Sequence, residues 1–165
     1  MRRRRFLPAT LVLAAVLALS AGLAWTQSPD DSVTFGKERL SIETAHGVYA
    51  FQVELAQTPP QRAHGLMFRR ELAPDHGMLF IYPREDSVLM WMKNTYIPLD
   101  MLFIAADGRI TRIVANAKPL STDIIASGPP AKAVLELAGG TASSLGIEEG
   151  DRIIHPDFAA PAAAP

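Results

Sequence analysis

The dominant pattern along this chain is an alternation of apolar and polar positions with a period of two. From Tyr49 to Leu55 every second residue is apolar, and the residues between are small or polar. This period is typical of a β-strand that presents one face to a core. A second strand is predicted over residues 40–44, and a short link at 45–47 joins the two. The segments together predict a β-hairpin.

A second hairpin is predicted around Asp107 and Gly108, between strands at residues 99–106 and 109–114. The Asp-Gly pair tolerates the positive φ angles that a two-residue type I′ turn requires. Apolar runs predict four more strands, over residues 78–82, 87–93, 133–137 and 152–155.

Helix is scarce in the pattern. Thr58 is a suitable N-cap, the prolines that follow suit a first turn, and Gly65 suits an exit, so one short helix is predicted between them. A second helical turn is predicted from Thr141 to Leu145, ending at Gly146. Many short strands separated by Gly and Pro favour a mainly β fold, a small antiparallel β-sandwich or barrel-like domain with one or two short helices.

The N-terminus predicts export. Arg2 to Arg5 precede an apolar run over residues 6–25, and Gly22 and Ala24 are small residues at suitable cleavage positions. We therefore expect a signal peptide at residues 1–24 and a periplasmic or cell-surface protein. The alternative is an uncleaved membrane anchor, because about 20 apolar residues suffice to span a bilayer.

The rest of the chain divides into three parts. Residues 25–32 are polar and predict a linker, residues 33–156 predict a single β-rich domain, and residues 157–165 predict a disordered tail of Ala and Pro. Removal of the signal leaves 12 Lys and Arg against 17 Asp and Glu, a formal charge of −5. This charge argues against nucleic acid as a partner and predicts membrane association only through an uncleaved signal.

The most informative polar stretch lies between two apolar runs and contains Lys93, Asn94 and Asp100. Asp100 is predicted to share a strand face with Leu102 and Ile104, and a buried carboxylate without a partner is costly. The structural interpretation is that Asp100 accepts hydrogen bonds from amides of the turn at residues 94–98, or pairs with Lys93 or an arginine. In the functional interpretation, Asp100 anchors a cleft that Lys93, Asn94 and Glu136 also line.

Several blocks of sequence together resemble the domain of unknown function 192 family. They are residues 65–69 (GLMFR), 77–80 (GMLF), 90–95 (MWMKNT), 97–101 (IPLDM), 135–137 (LEL) and 150–151 (GD). The resemblance implies a small, mainly β domain, often behind a signal peptide or anchor, and it implies no established activity. The polar residues that match the shared motifs are Arg69, Lys93, Asn94, Asp100, Glu136 and Asp151.

Three functions remain open from the sequence. The first is a non-catalytic module that binds a small polar ligand or an envelope protein through Lys93, Asn94, Asp100, Glu136 and Arg69. The second is an enzyme acting on cell-envelope carbohydrate, with Asp100 and Glu136 as paired carboxylates. The third is copper binding through a soft set of Met67, Met78, Met90, Met92 and Met101 with His64 and His76.

The first function is favoured over the other two. No hydrolase elbow, phosphate loop, zinc-protease helix or dinucleotide turn occurs in the sequence. Catalysis is therefore not favoured, no catalytic residue is assigned, and no cofactor is predicted. Methionine is also a common filler of cores, which weakens the metal hypothesis.

Overall fold

A computed structural model describes residues 33–158 of the chain. The predicted signal peptide at residues 1–24, the linker at 25–32 and the tail from residue 159 onward lie outside the described residues. Within the described part, no helix is both long enough and apolar enough to cross a bilayer.

The domain is mainly β, as the sequence predicts. Its strands are β1 (Gly36–Thr44), β2 (Gly47–Ala56), β3 (His76–Asp86), β4 (Leu89–Met90), β5 (Leu99–Ile104), β6 (Ile110–Ala117), β7 (Ile125–Ala126), β8 (Ala131–Ala138) and β9 (Arg152–Ile154). Two short helices, α1 (Pro59–His64) and α2 (Thr141–Leu145), complete the fold.

Seven strands form one sheet in the order β6-β5-β8-β3-β2-β1-β9, and β4 pairs with β7 in a small second sheet. The large sheet curls into a half-barrel. The edge strands β6 and β9 approach each other. Near them, Ile110 donates a backbone hydrogen bond of 2.8 Å to Asp151, and Ile153 donates one of 2.8 Å to Gly108.

All neighbouring strands of the large sheet are antiparallel except β2 and β3. The segment between these two strands contains α1, which supplies the crossover that a parallel pair requires. Thr58 caps α1 in a capping box with Gln61, and Gly65 ends the helix at a φ of 52°. The helix predicted after Thr58 is confirmed, as is the one from Thr141 to Leu145.

Both faces of the central strands are buried. On β5, Leu102 and Ile104 pack in one core cluster, whereas Leu99, Met101 and Phe103 pack in a second cluster on the opposite face. The same alternation holds on β3 and β8. The alternating pattern visible in β2 therefore does not extend to the centre of the sheet, where near-continuous apolar runs reflect burial on two sides.

The turns differ in detail from the prediction. The β1–β2 hairpin turns at Ala45 and His46, close to the predicted link. The second hairpin also turns at Asp107 and Gly108, but in this turn only Gly108 has a positive φ, at 83°. The predicted type I′ turn is wrong, because that turn needs positive φ at both central residues. Ala105 instead accepts from the Gly108 amide and donates to the Arg109 carbonyl, which encloses a three-residue loop.

The strand predicted over residues 87–93 is much shorter than expected. Only Leu89 and Met90 pair with β7, and the chain then turns where Thr95 donates a backbone hydrogen bond of 3.1 Å to Met92. Asn94 has a φ of 58° in this turn. Lys93 and Asn94 therefore lie in a turn and not within a strand.

The domain extends slightly beyond its predicted C-terminal boundary. Phe158, assigned to the tail by the sequence, is 8% exposed and packs in the same core cluster as Leu102. Its backbone amide donates to His155 at 3.1 Å, and their rings meet edge to face with centroids 6.2 Å apart. Phe158 therefore packs the last described residues of the chain against the core.

We predict that Gly77→Ala destabilises the domain by about 1–3 kcal/mol, the usual cost of overpacking a core. A Cβ atom at Gly77 would lie 2.6 Å from the Glu136 carbonyl oxygen, across the β3–β8 pairing. Urea unfolding measures the loss. Gly36→Ala is the matched control in an exposed part of β1, since its new Cβ would meet only Leu55, at 4.0 Å. Equal effects of the two substitutions would contradict the close packing of β3 on β8.

Candidate functional site

Asp100 is fully buried, and its carboxylate is occupied by the backbone. It accepts hydrogen bonds from the amides of Asn116 at 2.8 Å, Gly140 at 3.0 Å and Ala142 at 2.8 Å. Gly140 is the N-cap of α2 and has no side chain with which to cap the helix. Asp100 supplies the missing acceptor and ties β5 to β6 and to the start of α2.

The structural interpretation of Asp100 was therefore closer to its observed contacts than the functional one, although it named different partners. The expected amides at residues 94–98 do not bond to Asp100, and neither Lys93 nor an arginine pairs with it within residues 33–158. The amides that do bond to it are 16, 40 and 42 positions away in sequence. No local pattern in the chain indicates such distant partners.

Asp100 and Glu136 point to opposite faces of the sheet. Glu136 pairs in register with Met101, and Asp100 pairs with Leu137. Paired residues of neighbouring strands share a face, and consecutive residues alternate. The predicted cleft containing both acids does not form, and the hypothesis that they act as paired carboxylates on carbohydrate is wrong.

Glu136 instead lines a cavity of about 240 Å³ on the face opposite Asp100. The walls come from α1 and the residues after it, from β3 and β8, and from the segment that begins with β4. The lining residues are Arg62, Ala63, His64, Gly65, Leu66, Met67, Phe80, Tyr82, Leu89, Met90, Trp91, Lys93, Thr95 and Glu136.

Within this cavity, Glu136 is the buried ionisable group. It is 4% exposed, and burial alone raises the pKa of its carboxyl group to about 8. No hydrogen bond from the described residues offsets that burial. At neutral pH the carboxyl group is therefore mostly protonated and acts as a hydrogen-bond donor.

Tyr82 stands near Glu136 on the cavity wall. Burial raises the pKa of its phenol to about 12, the Arg62 guanidinium lowers it, and the negative charge of ionised Glu136 raises it further. The Tyr82 hydroxyl donates to the Met90 sulfur at 3.6 Å. Tyr82 is thus a neutral wall residue whose polar end already has a partner.

The cationic side chains of the cavity differ in how they are held. The Arg62 guanidinium donates to the carbonyls of Gln57 and Ile81, the latter at 3.0 Å, and lies 5.1 Å from the centroid of the Tyr82 ring. The Lys93 ammonium lies 5.5 Å from the centroid of the exposed Trp91 ring and makes no ion pair with a described residue. Among the described residues that line the cavity, Lys93 therefore supplies a positive charge that is available to a ligand.

Of the remaining predicted site residues, Asn94 lies next to this cavity and Arg69 lies away from it. Asn94 accepts from the Phe68 amide at 2.8 Å through its carbonyl, and its side-chain amide nitrogen lies 3.8 Å from the Met67 sulfur. Arg69 forms a bidentate pair with Glu54, at 3.0 and 2.6 Å. Of the five predicted ligand-binding residues, the structure brings Lys93 and Glu136 together in one cavity, with Asn94 next to it and Arg69 and Asp100 elsewhere.

The soft-metal set is divided by the fold. Met78, Met92 and Met101 are at most 1% exposed and belong to the core, and His76 pairs with Asp75 at 2.8 Å. His64, Met67 and Met90 do line the cavity, but both sulfurs already have polar contacts and two cationic side chains share the space. Among the described residues, no group of three or more His, Asp or Glu side chains forms a metal-binding cluster.

Sequence reasoning missed Arg62, Tyr82 and Thr95 as cavity residues. Tyr82 shares a strand face with Phe80, so its orientation follows from the period of two. The pairing that places it near Glu136 joins β3 to β8, about 50 residues apart, and a single sequence does not reveal that register.

Comparison with known proteins gives a family and two solved structures. The model of the family DUF192, described as an uncharacterised ACR, matches residues 41–155. A search among curated proteins gave no match to the chain.

Both structures support the half-barrel fold. A Sinorhizobium meliloti 1021 protein provisionally described as a transcription regulator is 52% identical, with a TM-score of 0.74, and the match covers 76% of this chain and 98% of that one. A protein of unknown function from Novosphingobium aromaticivorans DSM 12444 is 36% identical, with a TM-score of 0.71, covering 75% and 94%.

We predict that Asp100→Ala lowers the free energy of unfolding by ~3 kcal/mol or more, because three buried amides lose their acceptor. Chemical denaturation measures the loss. Asp123→Ala is the matched control, since it removes an exposed acid that bonds to the Ser121 hydroxyl, and should change stability by less than about 0.5 kcal/mol. A stable Asp100→Ala protein would contradict the role of Asp100 in holding β5, β6 and α2 together.

We predict that Glu136→Gln removes a pH dependence of stability. The folded-state pKa of about 8 lies above the ordinary 4.5, so the native protein binds the extra proton and its stability falls as pH rises between these values. At pH 7 the free energy of unfolding of the wild type is expected to be ~3 kcal/mol lower than its value below pH 4.5. The measurement is the free energy of unfolding of wild type and Glu136→Gln at pH 5 and at pH 8. If the two proteins differ by the same amount at both pH values, the prediction is contradicted.

Proposed function

The chain belongs to the DUF192 family, and we propose that it works as an exported, non-catalytic domain that binds a small molecule in the Glu136 cavity. The observation that carries the proposal is Glu136 itself. A buried carboxyl group without a hydrogen-bond partner among the described residues costs stability and contributes nothing to the fold. Such a group at the wall of an accessible cavity is suited to a ligand.

Binding is favoured over catalysis by the separation of the two buried acids. Asp100 is committed to three backbone amides on the other face, so among residues 33–158 no second carboxylate lies beside Glu136 in the cavity. General acid and base catalysis by two carboxylates requires both groups at one substrate. Export is supported by the N-terminal arginines and the apolar run that follows them.

The role named for the Sinorhizobium meliloti protein is not extended to this chain. The predicted mature protein has a formal charge of −5, and affinity for nucleic acid depends largely on positive charge. The proposed partner is therefore a small molecule.

We predict that Ala63→Trp abolishes small-molecule binding with the fold retained. Ala63 is an exposed residue of α1 that lines the cavity, so a bulky side chain there blocks the space without entering the core. The measurement is a fragment screen by NMR on the isotope-labelled full chain, which should show saturable shifts at Glu136, Thr95 and Leu66.

The matched control is Pro60→Trp, which places the same bulk on an exposed residue of the same helix away from the cavity. The control should bind fragments as the wild type does. Fragments that bind Ala63→Trp and the wild type equally, or shifts confined to other surfaces, would contradict a ligand site at Glu136.

A further inference from the structure

We propose that the ligand of this cavity is a small, ring-bearing carboxylate that lies between Lys93 and Glu136. Its anionic group pairs with the Lys93 ammonium, and its opposite end accepts a hydrogen bond from the Glu136 carboxyl group. This inference rests on the proposed function and adds the chemical class and orientation of the ligand.

The anionic end follows from the state of the lining cations. Arg62 already donates to two backbone carbonyls and stacks on Tyr82, so its charge is committed to the wall. Lys93 makes no ion pair within residues 33–158 and rests only on Trp91. Because Lys93 is exposed and Glu136 is buried, the positive charge lies at the solvent side of the cavity. A carboxylate is a complementary group for an ammonium in that position.

The inner end follows from the protonation of Glu136. The titratable or charged groups that share the cavity with it are Arg62 and His64 from α1, Tyr82 from β3 and Lys93 from the turn after β4. Within the described residues, none of them donates a hydrogen bond to its carboxyl group. The protonated group therefore offers one O–H to an ether, carbonyl or hydroxyl oxygen. Ionisation of Glu136 both removes this donor and repels the carboxylate of the ligand.

The size and walls of the cavity favour a single ring. A cavity of ~150 Å³ holds benzene, so the 240 Å³ here accommodates a ring with a substituent at each end, about ten non-hydrogen atoms. Phe80, Met90 and the exposed Trp91 supply flat or flexible apolar surface for such a ring.

The first test compares two isosteric probes, 4-methoxybenzoate and the neutral 4-methoxybenzamide, by titration calorimetry on the full chain. We expect the carboxylate to bind at least about tenfold more tightly, the preference to disappear in Lys93→Met, and Lys93→Arg to keep it. Arg70→Met is the matched control and should keep the preference. Arg70 is also a cation over an aromatic ring, 5.4 Å from the centroid of Tyr96, but it lies outside the cavity.

The second test varies pH. If the ligand binds only when Glu136 is protonated, affinity for 4-methoxybenzoate falls about tenfold from pH 7 to pH 9. Glu136→Gln keeps a donor that does not titrate, so this variant should bind the probe with little dependence on pH. If Glu136 had only a structural role, affinity for the probe would depend on pH in the same way in the wild type and in Glu136→Gln. That result would overturn the role of Glu136 as the inner hydrogen-bond donor.

The outcomes separate this inference from the proposed function. Equal affinity for the two probes, or a preference that survives Lys93→Met, overturns the carboxylate ligand while fragments bound at Glu136 still support a ligand site. The absence of any binding in the cavity overturns both. Glucuronate serves as a third probe: tighter binding of glucuronate than of 4-methoxybenzoate, with the same dependence on Lys93, supports the inference and identifies the ring as that of a sugar acid.

Discussion

Burial of both faces of the central strands is the constraint on which this structure depends. On β5 and β8 a side chain on either face enters a core, so every polar group there must be bonded by the protein or must line a cavity. The two acids on these strands meet this constraint in different ways. Asp100 is satisfied by three backbone amides, and Glu136 is protonated beside a cavity.

This difference separates scaffold from site. Asp100 holds together elements that are distant in sequence, and its fully buried carboxylate lies on the face of the sheet opposite the cavity. Glu136 has the opposite character, since the fold gains nothing from its carboxyl group. The proposed ligand site therefore lies on the face of the sheet that is covered by α1 and the turn after β4, and it does not include the acid that the sequence made most conspicuous.

Local chemistry explains which parts of the fold were predictable. The cap at Thr58, the glycine exits at Gly65 and Gly146, and the alternation in β2 each depend on neighbouring residues, and each is observed. The polar residues Lys93 and Glu136 were also identified from the sequence. Their separation from Asp100 was not, because it depends on the register of β8 against β5 and on the position at which β4 ends. Alternation of apolar and polar residues specifies register where one face of a strand is exposed, and β5 and β8 lack that signal because both of their faces are buried.

The pairing of β1 with β9 has a consequence for the order in which the domain assembles. The first strand of the described domain lies next to the last, with Ser41 opposite Ile154, and Phe158 closes the core behind them. A ribosome therefore releases almost the whole domain before the half-barrel can close. Contacts of such high sequence separation slow folding, and the partly made sheet has an open edge at β1 until its final strand arrives. During synthesis the chain therefore passes through an interval in which the domain is incomplete. In that interval the chain is accessible to chaperones or to an export apparatus.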